Sequence, residues 1–142
     1  MIVGAVAVVL LALVAGAFTL ESSLADGEAA SEVLVTRDGK TLGRFSIDEL
    51  RALETVEFKQ AGISETGPSV LRVLDEAGAG EFDRLTALGL GVRDDGILVL
   101  RREEVTEQVI LDFAETRGTV KLAGPDISRD QRVRDVVELR VE

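Results

Sequence analysis

The chain has 142 residues, with 26 Asp+Glu against 16 Lys+Arg and a formal net charge of −10. An acidic balance of that size repels phosphate backbones, which excludes nucleic acid as an expected partner and disfavours anionic lipid surfaces. There is no Cys and no His, so disulfides, thiolate nucleophiles, the usual neutral-pH base and the commonest metal ligand are all missing, and five Phe supply all of the aromatic surface.

The first element in chain order is hydrophobic. Ile2 to Ala17 contain no polar side chain, and the apolar run reaches Leu20 with only Thr19 interrupting it. That length is close to the roughly 20 residues a helix needs to cross a bilayer core, and the lack of any polar face is foreign to a helix packed on a soluble core. Residues 1–20 are therefore expected to be a transmembrane anchor or a signal peptide. Ala15-Gly16-Ala17 offers a small-residue cleavage site, whereas the absence of Lys or Arg before the run and its continuation past those residues favour an uncleaved anchor. Four acids follow (Glu21, Asp26, Glu28, Glu32), so the expected topology is a single pass through the cell membrane with the domain outside the cytoplasm. Cleavage would give a secreted domain instead. With no lipidation cysteine and no basic patch near the head, residues 2–20 carry the whole expected membrane partnership. Residues 21–32 are small, polar and acidic and read as a flexible linker.

Residues 33–142 alternate short strands with short helices. Val33–Thr36 and Thr41–Arg44 flank Arg37-Asp38-Gly39-Lys40, whose Asp-Gly pair is a hairpin signal. Ser46-Ile47-Asp48-Glu49 is a capping box opening a short helix through Leu53, with Ile47, Leu50 and Leu53 on one face. Thr55–Gln60 alternates as a half-buried strand, with Val56 and Phe58 inward. A Gly62–Gly67 loop is expected next. Pro68 suits the first turn of a helix that buries Val70, Leu71 and Leu74 and closes at Gly78.

Leu85–Val92 and Ile97–Arg101 read as strands joined around Arg93-Asp94-Asp95-Gly96, and Arg102–Glu107 as a helical turn. Val109–Phe113 is apolar enough to be buried. Thr119–Ala123 and Val133–Val141 complete the strands, with Val137, Leu139 and Val141 on one face. Most crossovers are too short for parallel pairing, so the expected class is α+β: a mixed, mainly antiparallel β-sheet with short helices, preceded by one N-terminal hydrophobic helix.

Candidate chemistry is sparse. Asp94-Asp95-Gly96 lacks the alternating ligands and closing Glu of a calcium loop and reads as a solvated turn. Asp126, Asp130 and Asp135 interleave with Arg129, Arg132 and Arg134, a pattern expected to form a surface ion-pair network or a polar recognition edge. Gly78-Ala79-Gly80 and Gly89-Leu90-Gly91 match no phosphate-cradling pattern. Ser64, Ser69 and Ser128 have no base to activate them.

Several segments taken in order resemble the small relatives of the sulfite-oxidase-like, molybdopterin-binding oxidoreductases. They are Phe45–Leu53, Thr55–Gly62, Gly67–Gly78, Gly91–Gly96 and the closing Val133–Val141. The resemblance covers about residues 33–142 and rests on motifs of low specificity. It implies a sulfite-oxidase-like fold and places Gln60, followed by Ala61-Gly62, where that family has its molybdenum-binding cysteine. Glutamine supplies no soft thiolate. The Arg and His residues that grip the pterin phosphate have no evident counterparts, and Ile97 stands in place of the tyrosine of an Asp-Gly-Tyr turn.

No catalytic, metal or cofactor-binding residue is therefore assigned. The expected ligand pocket lies around Gln60, Gly62, Ser64 and Gly67. The expected function is a membrane-tethered, non-catalytic domain that binds a small ligand or a partner protein, without cofactor. The alternatives are a molybdopterin-dependent oxidoreductase with atypical ligation, or an accessory subunit of a membrane complex.

Overall fold

The computed structural model describes residues 32–90, 96–114 and 118–142. The expected anchor over 1–20, the linker except Glu32, and the Asp94-Asp95 turn lie outside those residues. Among the described residues no helix is long and apolar enough to cross a membrane.

Strands β1 (Glu32–Arg37) and β2 (Lys40–Ser46) pair antiparallel across the expected turn, where Asp38 and Gly39 both take positive φ, 51° and 77°. The capping box then forms as the residue spacing predicts. Ser46 Oγ accepts from the Glu49 amide at 3.1 Å, and the Glu49 carboxylate accepts from the Ser46 amide at 3.1 Å. The helix it opens, α1 (Ile47–Arg51), is shorter than expected and buries Leu50, while Ile47 and Leu53 pack partly against the core.

β3 (Thr55–Gln60) forms as expected, with Phe58 buried. The expected Gly62–Gly67 loop does not. Residues Ile63–Pro68 form a strand, β4, that pairs antiparallel with all of β3. The reversal needs only Ala61 and Gly62, at φ 52° and 78°, a two-residue turn in which both centres adopt the left-handed conformation. The run Ser64-Glu65-Thr66-Gly67 looks like a loop in composition. It is held as a strand because its alternate residues Glu65 and Gly67 face inward and are buried. Pro68 consequently ends β4 instead of entering the helix. Ser69 caps α2 (Val70–Glu76), its side chain accepting from the Arg72 amide at 3.1 Å. Gly78, at φ 72°, closes that helix as anticipated.

β5 (Arg84–Gly89) and β6 (Ile97–Arg101) form an antiparallel pair, and a 3₁₀ turn follows over Arg102–Glu104. β7 (Ile110–Ala114) and β8 (Thr119–Ala123) make a further hairpin. A second 3₁₀ turn, Arg129–Gln131, precedes β9 (Val136–Val141).

The main sheet has the order β2-β1-β9-β5-β6, with β1 and β9 parallel and the other pairs antiparallel. It is a mixed sheet with few short helices, in the α+β manner. The last strand thus enters the centre of the sheet beside the first. Val33, Val35, Leu85, Leu139 and Val141 from this sheet bury against Val70, Val73 and Leu74 of α2 and Leu111, Val120 and Leu122 of the β7–β8 hairpin. A smaller cluster, Phe58, Ile110 and Ala123 with Val56 against it, joins the β3–β4 hairpin to β7–β8. Full burial of each large side chain there contributes about 1.5–3 kcal/mol.

Two glycines make these contacts possible. A Cβ on Gly67 would overlap the Leu111 carbonyl oxygen, so β4 lies with its backbone directly on β7. A Cβ on Gly89 would likewise overlap the carbonyl oxygen of Arg134, which brings the segment before β9 against β5. The Leu122 amide donates to the Val133 carbonyl at 2.9 Å and fastens that same segment to β8.

A charged cleft beside Gln60

The packing of β3–β4 on β7–β8 brings three inward polar side chains, Gln60, Glu65 and Lys121, to one edge. The run between β8 and β9 lays Arg132 across them. Arg132 and Glu65 are 9% and 8% exposed, which makes theirs a buried ion pair. The pairing is bidentate: Nη1 donates to Glu65 Oε1 at 2.8 Å and Nη2 to Oε2 at 2.7 Å. Nη2 also donates to Gln60 Oε1 at 2.5 Å, and Gln60 Nε2 donates to the Pro125 carbonyl at 3.1 Å. Lys121 Nζ stands 3.2 Å from Glu65 and 3.4 Å from Asp112.

The two carboxyls respond differently. Burial pushes the Glu65 carboxyl up, but hydrogen bonds from Lys121 and Arg132, reinforced by their charge, outweigh it and hold the group below the usual carboxylate range. Burial raises Asp112, and Lys121 opposes that without reversing it. Arg132 has five donors, of which Nε is buried without an acceptor.

In front of this network lies a cleft of about 320 Å³ lined by Ile63, Glu65, Lys121, Arg129, Arg132 and Arg134. A smaller hollow of about 140 Å³ adjoins it across Lys121 and Arg134 and reaches Asp112, Phe113 and Ala114. Arg129 and Arg134 are exposed and take part in no salt bridge among the described residues. Their backbones are nevertheless held. The turn carrying Arg129 is closed by Ser128 and Gln131, whose side chains lie 3.2 Å apart. Arg134 sits between the Leu122–Val133 bridge and Asp135, which adopts φ 52° and accepts from Thr119 Oγ1 at 2.7 Å. Larger hollows lie elsewhere among the described residues: between α2 and Gly80–Asp83, over the β1–β2 turn, and beside Val56, Ser69 and Arg72.

Of the four residues expected to form the pocket, Gln60 stands behind the cleft as a partner of Arg132. Gly62 is exposed in the hairpin turn, Ser64 is exposed on β4, and Gly67 is buried under Leu111. The cleft uses their neighbours Ile63 and Glu65 on the same hairpin. The ion-pair network expected within residues 126–135 is corrected by the tertiary structure. Arg132 reaches Glu65, 67 positions away in sequence, and Asp126 and Asp130 take part in no salt bridge among the described residues. The burial of Glu65 and the Lys121–Asp112 contact were not anticipated. The parity of Glu65 with Gly67 carries that signal, but the polar composition of β4 masks it. The Ser69 side chain caps α2, and the Ser128 hydroxyl donates to Gln131 Oε1.

No protein-family model matches the chain, and no curated protein matches its sequence. Among solved structures it is similar to the sulfane dehydrogenase SoxCD from Paracoccus pantotrophus, with a TM-score of 0.64 and 16% identity over 81% of this chain. The match spans 39% of the SoxCD chain, so this chain corresponds to well under half of it. At that identity the likeness establishes a distantly related fold.

Proposed function

We propose that this chain is a membrane-tethered binding domain on a sulfite-oxidase-like fold, held outside the cytoplasm through residues 2–20 and acting without a molybdopterin cofactor. The observation that carries the proposal is the state of Gln60. Its amide oxygen accepts from Arg132 and its amide nitrogen donates to Pro125, so the side chain at the position of the family's metal-binding cysteine is committed on both sides to holding the protein together. A soft metal centre needs a thiolate there, and this chain has neither Cys nor His to supply a substitute. The residues present do not fit the group. The charged side chains nearby form an internal network and a cleft wall, an arrangement suited to binding.

The deciding measurement is elemental analysis of full-length protein purified from a host replete in molybdenum cofactor. The expected result is no molybdenum above background. A stoichiometric content would replace this proposal with the oxidoreductase alternative. Tethering is tested separately by membrane fractionation and by the mass of the mature chain. An intact N-terminus in the membrane fraction is expected, and a soluble chain shortened near Ala17 would overturn the tether.

A further inference from the structure

We infer that the trough formed by the cleft and its adjoining hollow is a docking site for an extended acidic peptide segment of a partner protein. The inference rests on the binding-domain reading above and adds the chemistry of the ligand. The chain as a whole is strongly acidic, yet Lys121, Arg129, Arg132 and Arg134 converge on one cleft. Within the trough, Arg132 and Lys121 are offset by Glu65 and Asp112. Arg129 and Arg134 are left as exposed cations outside any salt bridge among the described residues. Such a concentration against the overall charge attracts carboxylates locally while the rest of the surface repels them, which favours one orientation of an acidic ligand.

The shape favours a peptide over a single small anion. The two hollows share Lys121 and Arg134 and so form one open trough, with Ile63 at one end and Phe113 at the other. Ile63 is 50% exposed on the hairpin, a large apolar side chain that belongs to neither hydrophobic cluster among the described residues. The Phe113 ring carries the Arg51 guanidinium 4.4 Å above its centroid. Cations flanked by apolar anchors match a segment that alternates acidic and aliphatic side chains. Guanidinium clusters recognise such acidic motifs through charge-assisted, often bidentate, hydrogen bonds.

The test is fluorescence anisotropy with the full chain in non-ionic detergent, using a short labelled Glu/Leu peptide and its Gln/Leu isostere. The Glu/Leu peptide is expected to bind more tightly, with an affinity that falls as salt rises. The double variant Arg129→Ala, Arg134→Ala is expected to lose about tenfold in affinity, within the range for two exposed ion pairs, with an unchanged melting temperature because both side chains are exposed. Equal binding of the two peptides, or full affinity in the double variant, overturns the inference. So does complete displacement by inorganic phosphate at equal concentration, which would make the site one for small anions. So does binding to phosphatidylglycerol vesicles with none to the peptide, which would make it a lipid surface. Molybdenum content is independent of all these outcomes, so failure here leaves the cofactor-free reading standing.

Discussion

Arg132 and Gln60, 72 positions apart, are joined by a 2.5 Å hydrogen bond from Nη2 to Oε1, and Gln60 passes the connection on to the Pro125 carbonyl. The glutamine therefore couples the end of β3 to both ends of the run that precedes β9. Replacing Gln60 by Ala removes one acceptor from a charged donor and one donor from a backbone carbonyl. The expected cost is about 1.5–3 kcal/mol, read as a lower urea midpoint with an unchanged slope. A cost near zero would show that Arg132 is held by Glu65 alone.

The Glu65–Arg132 pair makes a sharper prediction. Glu65→Leu leaves a guanidinium buried without its counter-charge and is expected to cost about 3–5 kcal/mol. Removing both charges in Glu65→Leu, Arg132→Leu is expected to recover most of that loss, since two apolar groups of similar volume need no mutual neutralisation. A double variant as unstable as Glu65→Leu alone would contradict the pairing.

The pH dependence has two opposite components. The Glu65 carboxyl is lowered in the folded chain. Its stabilisation is therefore present above its usual value of 4.5 and is lost as pH falls through the folded value. The Asp112 carboxyl is raised, so the folded chain holds its proton more tightly than the unfolded chain. The associated penalty is absent below its usual 3.8 and complete above the folded value. Asp112→Asn is accordingly expected to raise the melting temperature at neutral pH, with the gain disappearing in acid. Lys121 keeps Glu65 as a partner in that variant. A gain independent of pH would mean that burial of the charge is not its source.

Two glycines of the same hairpin should differ. Gly62→Ala meets no neighbouring atom and carries only the strain of a left-handed L-residue, about 1–2 kcal/mol. Gly67→Ala drives a methyl into the Leu111 carbonyl, and β4 must separate from β7 to admit it. Its cost is expected to exceed that of Gly62→Ala by more than 1 kcal/mol, at the high end of what overpacking does, about 1–3 kcal/mol or more. Thermal melts of the two variants side by side measure the difference.

Much of the local structure was legible in the residues themselves. The Asp38-Gly39 reversal, the Ser46/Glu49 capping box, the inward Phe58 of β3 and the Gly78 helix closure each depend on residues within a few positions of one another. β4 was not legible, because its polar composition gives no apolar period. Its strand character comes from pairing with β3 and from backbone contact with β7.

What the sequence determined alone is the inventory and the short-range geometry: an acidic, Cys-free and His-free chain with a hydrophobic head, its turns and caps, and an α+β alternation. Those follow from side-chain chemistry and from interactions that close small loops of chain. The tertiary structure alone decided that β9 enters the sheet parallel to β1, that Arg132 passes over nearer acids to reach Glu65, and that Gln60 is spent on that arginine. In the run from Asp126 to Asp135 every arginine has an acid close by in sequence, so charge pattern cannot choose among partners. The choice is made by burial. Packing of one hairpin on the other removes Glu65 from water, and a desolvated carboxylate requires the cation that the fold can bring to it.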